Sequence, residues 1–529
     1  MNRKVQVWLP LLFSITLIAG MLLGYKLRDA MPGKKFFSLD KSHSLQEVMD
    51  LIKNKYVDKV ELNGLTDTAI SAMLGKLDPH SIFIPAEELE KANEELAGSF
   101  YGIGIEFSIL NDTMHVLNVV PDGPAYKAGL VTGDRFIKIN DSLVAGKKLA
   151  VERIKKILKG SAGSKVTITY LRNGGQKTAI ISRGMIPVSS VDASYIIQNN
   201  IGYIRLNKFT QVSYRDFMKA LESLQKNGLK KLILDLRGNG GGVLDEATAI
   251  ADEFLDGDKL ITYTEGIHLP KKEYRCKKPG LFEQGDLVLL TDEGSASAAE
   301  VLAGALQDWD RATVMGRRTF GKGLVQEQYD LSDGSALRLT VARYYTPVGR
   351  SIQRSYKNGE KAYFNEITNR YHDGEMNNAD SFKDDEAKVY KTKKGRLVYG
   401  GGGISPDIFV PADTIAFNPL ASKAYTRGIF GDYAYLYQLQ HGEALKIYKN
   451  PSDFNARFWL TNEDWNAFET MAVKDSVLLN KISEREKECF MLQVKSSIAR
   501  QIWRNEGLYE ILNKKDSTIK KAIAWLNGL

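Results

Sequence analysis

Hydrophobic and polar positions along this chain change their period several times, and each period predicts a different kind of element. Apolar side chains recur every three or four residues in Ser44–Lys55 and again in Leu65–Leu77, which is the spacing of an amphipathic helix. The charged segment Ala86–Ala97 predicts a third helix. We therefore expect residues 31–98 to form a helical lead into the next domain.

Between residues 99 and 186 the period shortens to two, in short alternating runs separated by glycine turns. The predicted strands are Tyr101–Phe107, Val116–Val120, Gly133–Asn140 and Lys165–Arg172, and the predicted helices are Gly123–Leu130 and Val151–Leu158. This combination predicts a small β-domain.

Residues 187–414 mix strands of the buried type with longer helices, which is typical of an α/β core. The predicted strands are Ile201–Leu206, Lys230–Leu236, Leu287–Leu290 and Ala336–Tyr345, and the predicted helices are Tyr214–Lys226 and a segment that follows Ser297 through Gln307. The polar segment Arg354–Lys394 predicts a loop-rich insertion.

Residues 415–529 again show helical spacing. The predicted helices there are Ala434–Leu439, Asn462–Val473, Val477–Leu512 and Ile519–Leu526. We expect a helical C-terminal region, and its sequence suggests no chemistry.

The N-terminal residues 1–30 contain an uncharged apolar run, Val5–Tyr25. About 20 apolar residues span a bilayer. Arg3 and Lys4 precede the run, so we expect an uncleaved, single-pass anchor in the inner membrane, with its N-terminus in the cytoplasm and the rest of the chain on the periplasmic side. A cleaved signal peptide is the alternative.

Length and charge narrow the range of functions. A chain of 529 residues exceeds the ~250–300 residues at which single cores stop growing, so several domains are expected. The net charge of +8 is spread along the chain without a dense basic tract, and nucleic acid is not an expected partner. Cys276 and Cys489 are too far apart in sequence to indicate a disulfide framework, and we expect no metal site.

The candidate chemistry lies in two small-residue runs, Gly294–Glu300 around Ser297 and Phe320–Gly323 around Lys322. A serine hydroxyl needs a base, and a lysine can serve if burial lowers its pKa. Ser295 is an alternative nucleophile or a helix cap. A serine–histidine–acid triad is a further alternative, although the six histidines occur in unrelated contexts.

The stretch Thr291–Gln326 resembles the catalytic core of the carboxyl-terminal processing peptidases, the tail-specific serine proteases, and the resemblance extends from about Gln46 to Pro411. It implies a multidomain α+β protein whose α/β core is of the ClpP/crotonase type. It also implies that Ser297 is the nucleophile, Lys322 the base and Gln326 the residue that orients the lysine.

The same resemblance implies that an oxyanion hole is formed by the backbone N–H groups of Gly242 and Ala298, with Gly241 as the second choice to Gly242. A glycine run, Arg237–Gly242, follows a predicted strand and would border this site. Glycine runs of this kind also bind phosphate, so a nucleotide-binding protein is an alternative function. The run lacks the lysine–serine/threonine ending of a P-loop.

Residues from Tyr101 to about Gly184 resemble a PDZ domain, which binds a peptide by adding it as a strand to an open sheet edge. The candidate carboxylate-binding loop is Gly102, Ile103, Gly104 and Ile105.

These observations predict a serine endopeptidase that cleaves near the C-terminal tails of protein substrates by a serine–lysine dyad and without a cofactor. Accessible C-terminal tails are the expected partners, and the enzyme is a possible homo-oligomer. A catalytically inactive PDZ scaffold is the alternative.

Overall fold

The computed structural model describes residues 8, 13–23, 42–378, 388–413 and 418–529. The chain divides into two compact units, Met1–Ala72 and Met73–Leu529. Residues 13–23 are helical, and two further helices follow, α1 (Ser42–Lys55) and α2 (Leu62–Leu74). Within the described residues, no helix combines the length and the apolar character that crossing a bilayer requires. Of the predicted anchor Val5–Tyr25, only Trp8 and residues 13–23 are described.

The small β-domain that the alternating pattern predicts is present. Its elements, preceded by β1 (Ile82–Ile84) and α3 (Ala86–Ala97), are β2 (Ser99–Gly102), β3 (Ile105–Leu110), β4 (Thr113–Val119), α4 (Pro124–Lys127), β5 (Arg135–Ile139), β6 (Ser142–Leu143), α5 (Val151–Leu158), β7 (Lys165–Arg172), β8 (Gly175–Ser182) and β9 (Gly184–Pro187).

The main sheet of this domain is antiparallel, in the order β3-β4-β5-β7-β8, with β6 paired to β5. Strands β2 and β9 form a separate antiparallel pair. Every second residue of β4 is buried, which is why the alternating sequence folds as a sheet with one face on a core. Strand β3 forms one edge of the sheet.

The catalytic core contains a second, largely parallel sheet. The elements of the whole catalytic core are β10 (Val191–Gln198), β11 (Ile201–Leu206), α6 (Ser213–Lys226), β12 (Lys231–Asp235), α7 (Leu244–Asp252), β13 (Leu260–Glu265), β14 (Lys272–Arg275), β15 (Leu287–Thr291), α8 (Ala298–Asp308), β16 (Thr313–Gly316), β17 (Leu324–Asp330), β18 (Ala336–Tyr345) and β21 (Ile408–Phe409).

The order of this sheet is β10-β11-β12-β15-β16-β21, with all neighbours parallel except β10 and β11. Leu232 and Leu234 pack towards α6, α7 and α8 on one face, whereas Ile233 packs on the other face with residues near the C-terminus. Both faces are therefore covered, as the continuous apolar strand sequences predict. Another sheet completes the core, with the strand order β1-β18-β13-β14 and with β17 paired to β18.

The prediction of a loop-rich insertion at Arg354–Lys394 is wrong in part. The segment contains a 13-residue helix, α9 (Glu360–His372), and a strand, β19 (Val389–Lys391), which pairs with β20 (Leu397–Tyr399). Tyr363 and Arg370 of α9 are buried. The sequence of this helix shows no apolar period, because the helix packs against the core through ion pairs and aromatic rings rather than through an aliphatic face.

The C-terminal region is helical, as predicted, with α10 (Pro419–Thr426), α11 (Ile429–Leu445), α12 (Pro451–Arg457), α13 (Asn462–Lys474), α14 (Glu484–Asn513) and α15 (Ser517–Leu526). The predicted helix Val477–Leu512 begins later, at Glu484, because Ser483 and Glu486 form a capping box there. Helix α14 is kinked at Trp503 and Arg504, whose backbone angles are non-helical.

Candidate active site

Ser297 lies at the turn that connects β15 to α8, where it is the N-cap residue of the helix. Its backbone has φ 55° and ψ −115°, a conformation that residues other than glycine rarely adopt. Such strain is characteristic of functional sites, where the surrounding structure maintains it. The strained turn presents Ser297 in a pocket of about 420 Å³.

Ser295, the alternative nucleophile, is fully buried and serves the scaffold. Its Oγ donates a hydrogen bond to the carbonyl of Leu236 at 2.8 Å and accepts one from the N–H of Asp292 at 3.0 Å. The hydroxyl thus links the serine turn to the start of the glycine run. This arrangement favours Ser297 as the nucleophile.

The glycine run Arg237–Gly242 lies directly against the serine turn. A side chain at Gly241 would come within 2.7 Å of Ser297 Cβ and 2.9 Å of Ala298 N. The N–H of Gly241 already donates to Asn239 Oδ1 at 2.9 Å, so it is bound within the loop. Gly241, Gly242 and Ala298 all line the pocket, so it is the bound N–H of Gly241 that favours Gly242 as the oxyanion candidate.

Lys322 lines the same pocket as Ser297, and its Nζ donates to Gln326 Oε1 at 2.9 Å. Burial lowers the pKa of Lys322 from the usual lysine value, and the positive charge of Arg338 lowers this pKa further, whereas Glu300 and Asp78 oppose the shift. A lysine with a lowered pKa has a larger neutral fraction, which is the form that accepts a proton. The structure thus brings together the three residues predicted for catalysis.

Gln326 is itself held by a segment whose role the sequence did not reveal. Its Nε2 donates to the backbone carbonyl of His80. The His80 ring lies 2.8 Å from Tyr363 OH, and burial together with the charge of Lys322 lowers the pKa of His80 to about 4. The ring is therefore neutral at pH 7; it packs against the rings of Phe320, Tyr363 and Phe364 and is not part of the lining of the serine pocket.

Glu300 is a further residue that sequence reasoning missed. This fully buried carboxylate accepts hydrogen bonds from the N–H groups of Ser297 and Lys322, both at 2.8 Å. It also accepts from Thr319 Oγ1 at 2.5 Å and from the Gly321 N–H at 2.7 Å. A glutamate three residues after a serine is the spacing of a capping box, and this spacing is the sequence feature from which the contact between Glu300 and Ser297 could have been predicted.

Helix α9 supports the loop that carries Lys322. Arg370 Nη1 donates to the carbonyl of Thr319 at 2.8 Å. The guanidinium of Arg354 lies 4.0 Å from the ring centroids of both Phe320 and Tyr363. The polar insertion therefore contributes directly to the geometry of the lysine loop.

The predicted peptide-binding loop of the β-domain connects β2 to the edge strand β3. Gly104 has φ 77°, a left-handed conformation that glycine adopts without strain. The Ile103 side chain is buried in the domain core, so only the backbone of this loop is available to a ligand. Gly102 ends β2 and Ile105 begins β3, which places the loop at one end of the open sheet edge.

Comparison with known proteins agrees with this arrangement. A model of peptidase family S41 matches residues 200–358, and a PDZ domain model matches residues 102–182. The chain is 36% identical over 315 residues to a carboxy-terminal-processing protease of Bartonella bacilliformis, covering 58% of this chain and 71% of that relative. The chain belongs to the carboxy-terminal-processing protease family. It is also 34% identical over 361 residues to a probable CtpA-like serine protease of Staphylococcus epidermidis, covering 66% of this chain and 72% of that one.

The protein is therefore a serine-type peptidase with a PDZ domain, and family membership supports this activity over the inactive scaffold and the nucleotide-binding alternatives. Residues 28–88 match the N-terminal domain of the activating protease CtpB, and residues 420–504 match a family of unknown function. Among solved structures, the chain is similar to a photosystem II D1 C-terminal processing protease at 29% identity, with 60% of this chain and 91% of that one covered and a TM-score of 0.34.

Proposed function

We propose that this peptidase cleaves near the C-terminal tails of protein substrates by means of a Ser297–Lys322 dyad. The observation that carries the proposal is the shared pocket, in which a strained serine and a half-buried lysine lie beside the glycine run. Lys322 in its neutral form takes the proton of the Ser297 hydroxyl, and the serine oxygen attacks the scissile carbonyl.

Gln326 orients the base in this mechanism. Its Oε1 accepts a hydrogen bond from Lys322 Nζ, which leaves the lone pair of the neutral amine free to point elsewhere. The His80 carbonyl fixes the amide of Gln326 in the orientation that presents this oxygen.

The negative charge that develops on the carbonyl oxygen is stabilised by the backbone N–H groups of Gly242 and Ala298. Donors held rigidly at the site of developing charge are among the largest contributors to catalysis. The intermediate collapses with cleavage of the peptide C–N bond as Lys322 returns its proton to the leaving amine, which leaves an ester on Ser297. Water then attacks this ester and gives a proton to Lys322, which passes it to the Ser297 oxygen as the acid product leaves; these steps use no cofactor.

The PDZ domain supplies tail recognition. A substrate tail adds to the open edge of β3, and its terminal carboxylate is bound by the backbone N–H groups of the Gly102–Ile105 loop. The edge position of β3 supports this mode, because its outer hydrogen-bonding groups are not used by a neighbouring strand of the sheet.

The N-terminal segment anchors the enzyme in the inner membrane, with the catalytic domain on the periplasmic side. The uncharged run Val5–Tyr25 and the preceding Arg3 and Lys4 support this topology. A reporter fused after Leu529 should behave as exported, and carbonate washing should leave the protein in the membrane fraction. A cytoplasmic reporter signal contradicts the topology, and a mature form without its first residues indicates a cleaved signal peptide instead.

The cleavage activity is tested by digesting a panel of tailed proteins with the full chain in detergent, with the Ser297→Ala variant beside it. We expect cleavage near the substrate C-terminus by the unmodified protein only. Cleavage by Ser297→Ala at an undiminished rate would overturn the assignment of the nucleophile.

A further inference from the structure

Tyr344, on β18, lies beneath both members of the dyad. Its side chain is 3% exposed and contributes to the lining of the catalytic pocket. Its hydroxyl donates to the backbone carbonyl of Ser297 at 3.0 Å and is also within hydrogen-bonding distance of the backbone carbonyl of Lys322. One side chain thus contacts the backbones of two loops that are distant in sequence.

Glu300 makes the complementary contacts. The N–H groups of the same two residues, Ser297 and Lys322, donate to the same carboxylate oxygen, Glu300 Oε2. The N–H groups of both residues therefore share one buried acceptor, and their carbonyls share the single O–H proton of Tyr344, while the Ser297 carbonyl also accepts from the N–H groups of Glu300 and Val301. This pair of side chains thus links the two loops at the dyad itself, and a backbone hydrogen bond of 2.9 Å from Phe320 N to Ser295 O joins the same loops nearby.

We propose that Tyr344 is a positioning residue, which with Glu300 sets the separation and orientation of Ser297 and Lys322. The proposal rests on the dyad proposed above. Towards a carbonyl oxygen, the Tyr344 hydroxyl can act only as a donor. Burial keeps the pKa of Tyr344 well above its usual value, so the hydroxyl retains its proton at neutral pH.

The test is Tyr344→Phe, which removes the hydroxyl and keeps the ring. Tyr345→Phe is the matched control, because its neighbouring ring points to the other side of β18 and stacks on Tyr263 with centroids 4.9 Å apart. We measure kcat and KM on a fluorogenic peptide with a free C-terminus, after counting active sites with a fluorophosphonate. Since small misplacements of reacting groups are costly, kcat of Tyr344→Phe should fall by about 10- to 100-fold, with KM within about twofold.

A kcat for Tyr344→Phe equal to that of Tyr345→Phe would overturn the proposal. So would a loss that disappears once activity is expressed per titrated active site, because that pattern reflects misfolding alone. Lys322→Ala is measured in parallel. If this variant stays active, the proposed dyad is wrong. If it is inactive while Tyr344→Phe is fully active, only the positioning role of Tyr344 is contradicted.

A separate observation concerns the C-terminal region, whose helices α11 and α14 contact the PDZ domain. Arg500 and Arg504 of α14 form ion pairs with Glu106 on β3, at 3.2 Å and 3.5 Å. Tyr435 OH on α11 lies 3.2 Å from Nδ1 of His115 on β4. The two helices thus contact the sheet at its edge strand and at the strand beside it.

The same helix α14 continues onto the catalytic core. Asn505 Nδ2 donates to Asp192 at 2.8 Å, and Asn513 Nδ2 donates to Tyr195 OH at 2.8 Å, both on β10. The backbone kink at Trp503 and Arg504 separates the PDZ-contacting half of the helix from the core-contacting half. A hydrogen bond of 3.0 Å, donated by Arg500 Nε to Asn505 Oδ1, connects the two parts of the helix across the kink.

We infer that α14 is a brace that holds the PDZ domain in one orientation on the protease. It contacts β3 through Glu106, whereas the alternate residues Ile105 and Phe107 pack on the PDZ core, so the hydrogen-bonding edge of β3 stays open to a substrate tail. The arginines and Glu106 are 35–39% exposed, and exposed ion pairs are individually weak. Gln501 of the same helix adds a buried contact, in which its Oε1 accepts from Asn118 Nδ2 on β4 at 3.5 Å.

The test uses the distance between the two domains and needs no peptidase activity, so it is independent of the proposed function. Spin labels are placed at two exposed positions by Lys177→Cys on the PDZ domain and Lys226→Cys on the core, in a Cys489→Ser background with Cys276 buried. Arg500→Glu with Arg504→Glu places like charges against Glu106. We expect one narrow distance distribution in the parent and a broad one in this double variant.

Adding Glu106→Arg to the double variant recreates the ion pairs with reversed charges and should restore the narrow distribution. A double variant as narrow as the parent overturns the brace. A triple variant as broad as the double one also overturns it, since the loss would then come from damage to α14 rather than from the contact with Glu106.

Discussion

The catalytic centre and the junction of the PDZ domain differ in how their residues are held. At the centre, the side chains that bind the backbones of Ser297 and Lys322 are almost completely buried: Glu300 is 0% exposed and Tyr344 is 3% exposed. At the junction, the ion pairs between α14 and Glu106 involve side chains that are 35–39% exposed. Buried polar contacts are costly to break, whereas exposed ion pairs contribute little. The comparison indicates a reaction centre whose backbone is held by buried polar side chains, beside a recognition domain whose contacts with α14 include exposed ion pairs.

The largest expected effect is at the nucleophile. Ser297→Ala should lower kcat by at least about 10³-fold, because removing a nucleophile leaves only binding and oxyanion stabilisation. Ser295→Ala, the control two residues away, should keep a large share of the activity and lose stability, since its hydroxyl bonds are structural. Equal loss in both variants, with Ser297→Ala still labelled by a fluorophosphonate, would show that the assignment is reversed or wrong.

Lys322→Arg should lower kcat by about 10²- to 10⁴-fold, the usual contribution of a general base. A guanidinium stays protonated and cannot accept the serine proton. Activity of the unmodified enzyme should rise as pH increases through the Lys322 pKa, which burial places below the usual lysine range. Steady-state kinetics across pH checks both statements, and full activity of Lys322→Arg contradicts the role of Lys322 as the base.

Glu300→Gln tests whether the buried carboxylate holds the two loops. An amide offers one acceptor oxygen where four donors now bind, so kcat should fall by at least about tenfold through misplacement. The free energy of unfolding should fall by about 1–3 kcal/mol. Glu293→Gln, which affects a more exposed ion pair with Arg317, is the control and should change kcat little. Similar kcat values for the two variants would contradict the role of Glu300 in positioning the loops of Ser297 and Lys322.

A moderate effect is expected at the recognition domain. Amidating the C-terminus of a peptide removes the charge that the Gly102–Ile105 loop receives, a hydrogen-bonded interaction of about 1.5–3 kcal/mol. The Kd for the inactive Ser297→Ala chain should therefore rise by about tenfold or more. Equal binding of amidated and free peptides rules out carboxylate recognition by this loop.

The smallest effect concerns the electrostatics of the base. Arg338 lowers the Lys322 pKa, so Arg338→Met should raise this pKa and move the rise in activity to higher pH, with lower activity at pH 7. Arg343→Met, on the same strand but exposed, is the control and should leave the pH profile unchanged. A shift of the Arg338→Met profile to lower pH contradicts the proposed neutral lysine.

The pattern of the sequence by itself determined the elements of the protein and the residue types of the reaction. Period two in the β-domain and continuous apolar strands in the core arise from the direction in which neighbouring side chains point, which is a local property. Strand β7 and helices α3 and α5 have the predicted bounds for this reason. The roles of Ser297, Lys322 and Gln326 came from a resemblance; the structure brings the three residues together, and their roles stay predictions for the kinetics above.

Only the tertiary structure decided what holds those residues in place. The positioning contacts of Tyr344, the carbonyl of His80 and the support from α9 join segments that are far apart in sequence, and no local period encodes such a contact. Ser295 and Ser297 lie in the same small-residue run, where only the family resemblance favours Ser297; packing buries the hydroxyl of Ser295 and places Ser297 in the pocket. The link from α14 to Glu106 likewise exists because folding brings a C-terminal helix against an N-terminal strand, and the weak local signal of half-exposed charges does not reveal it.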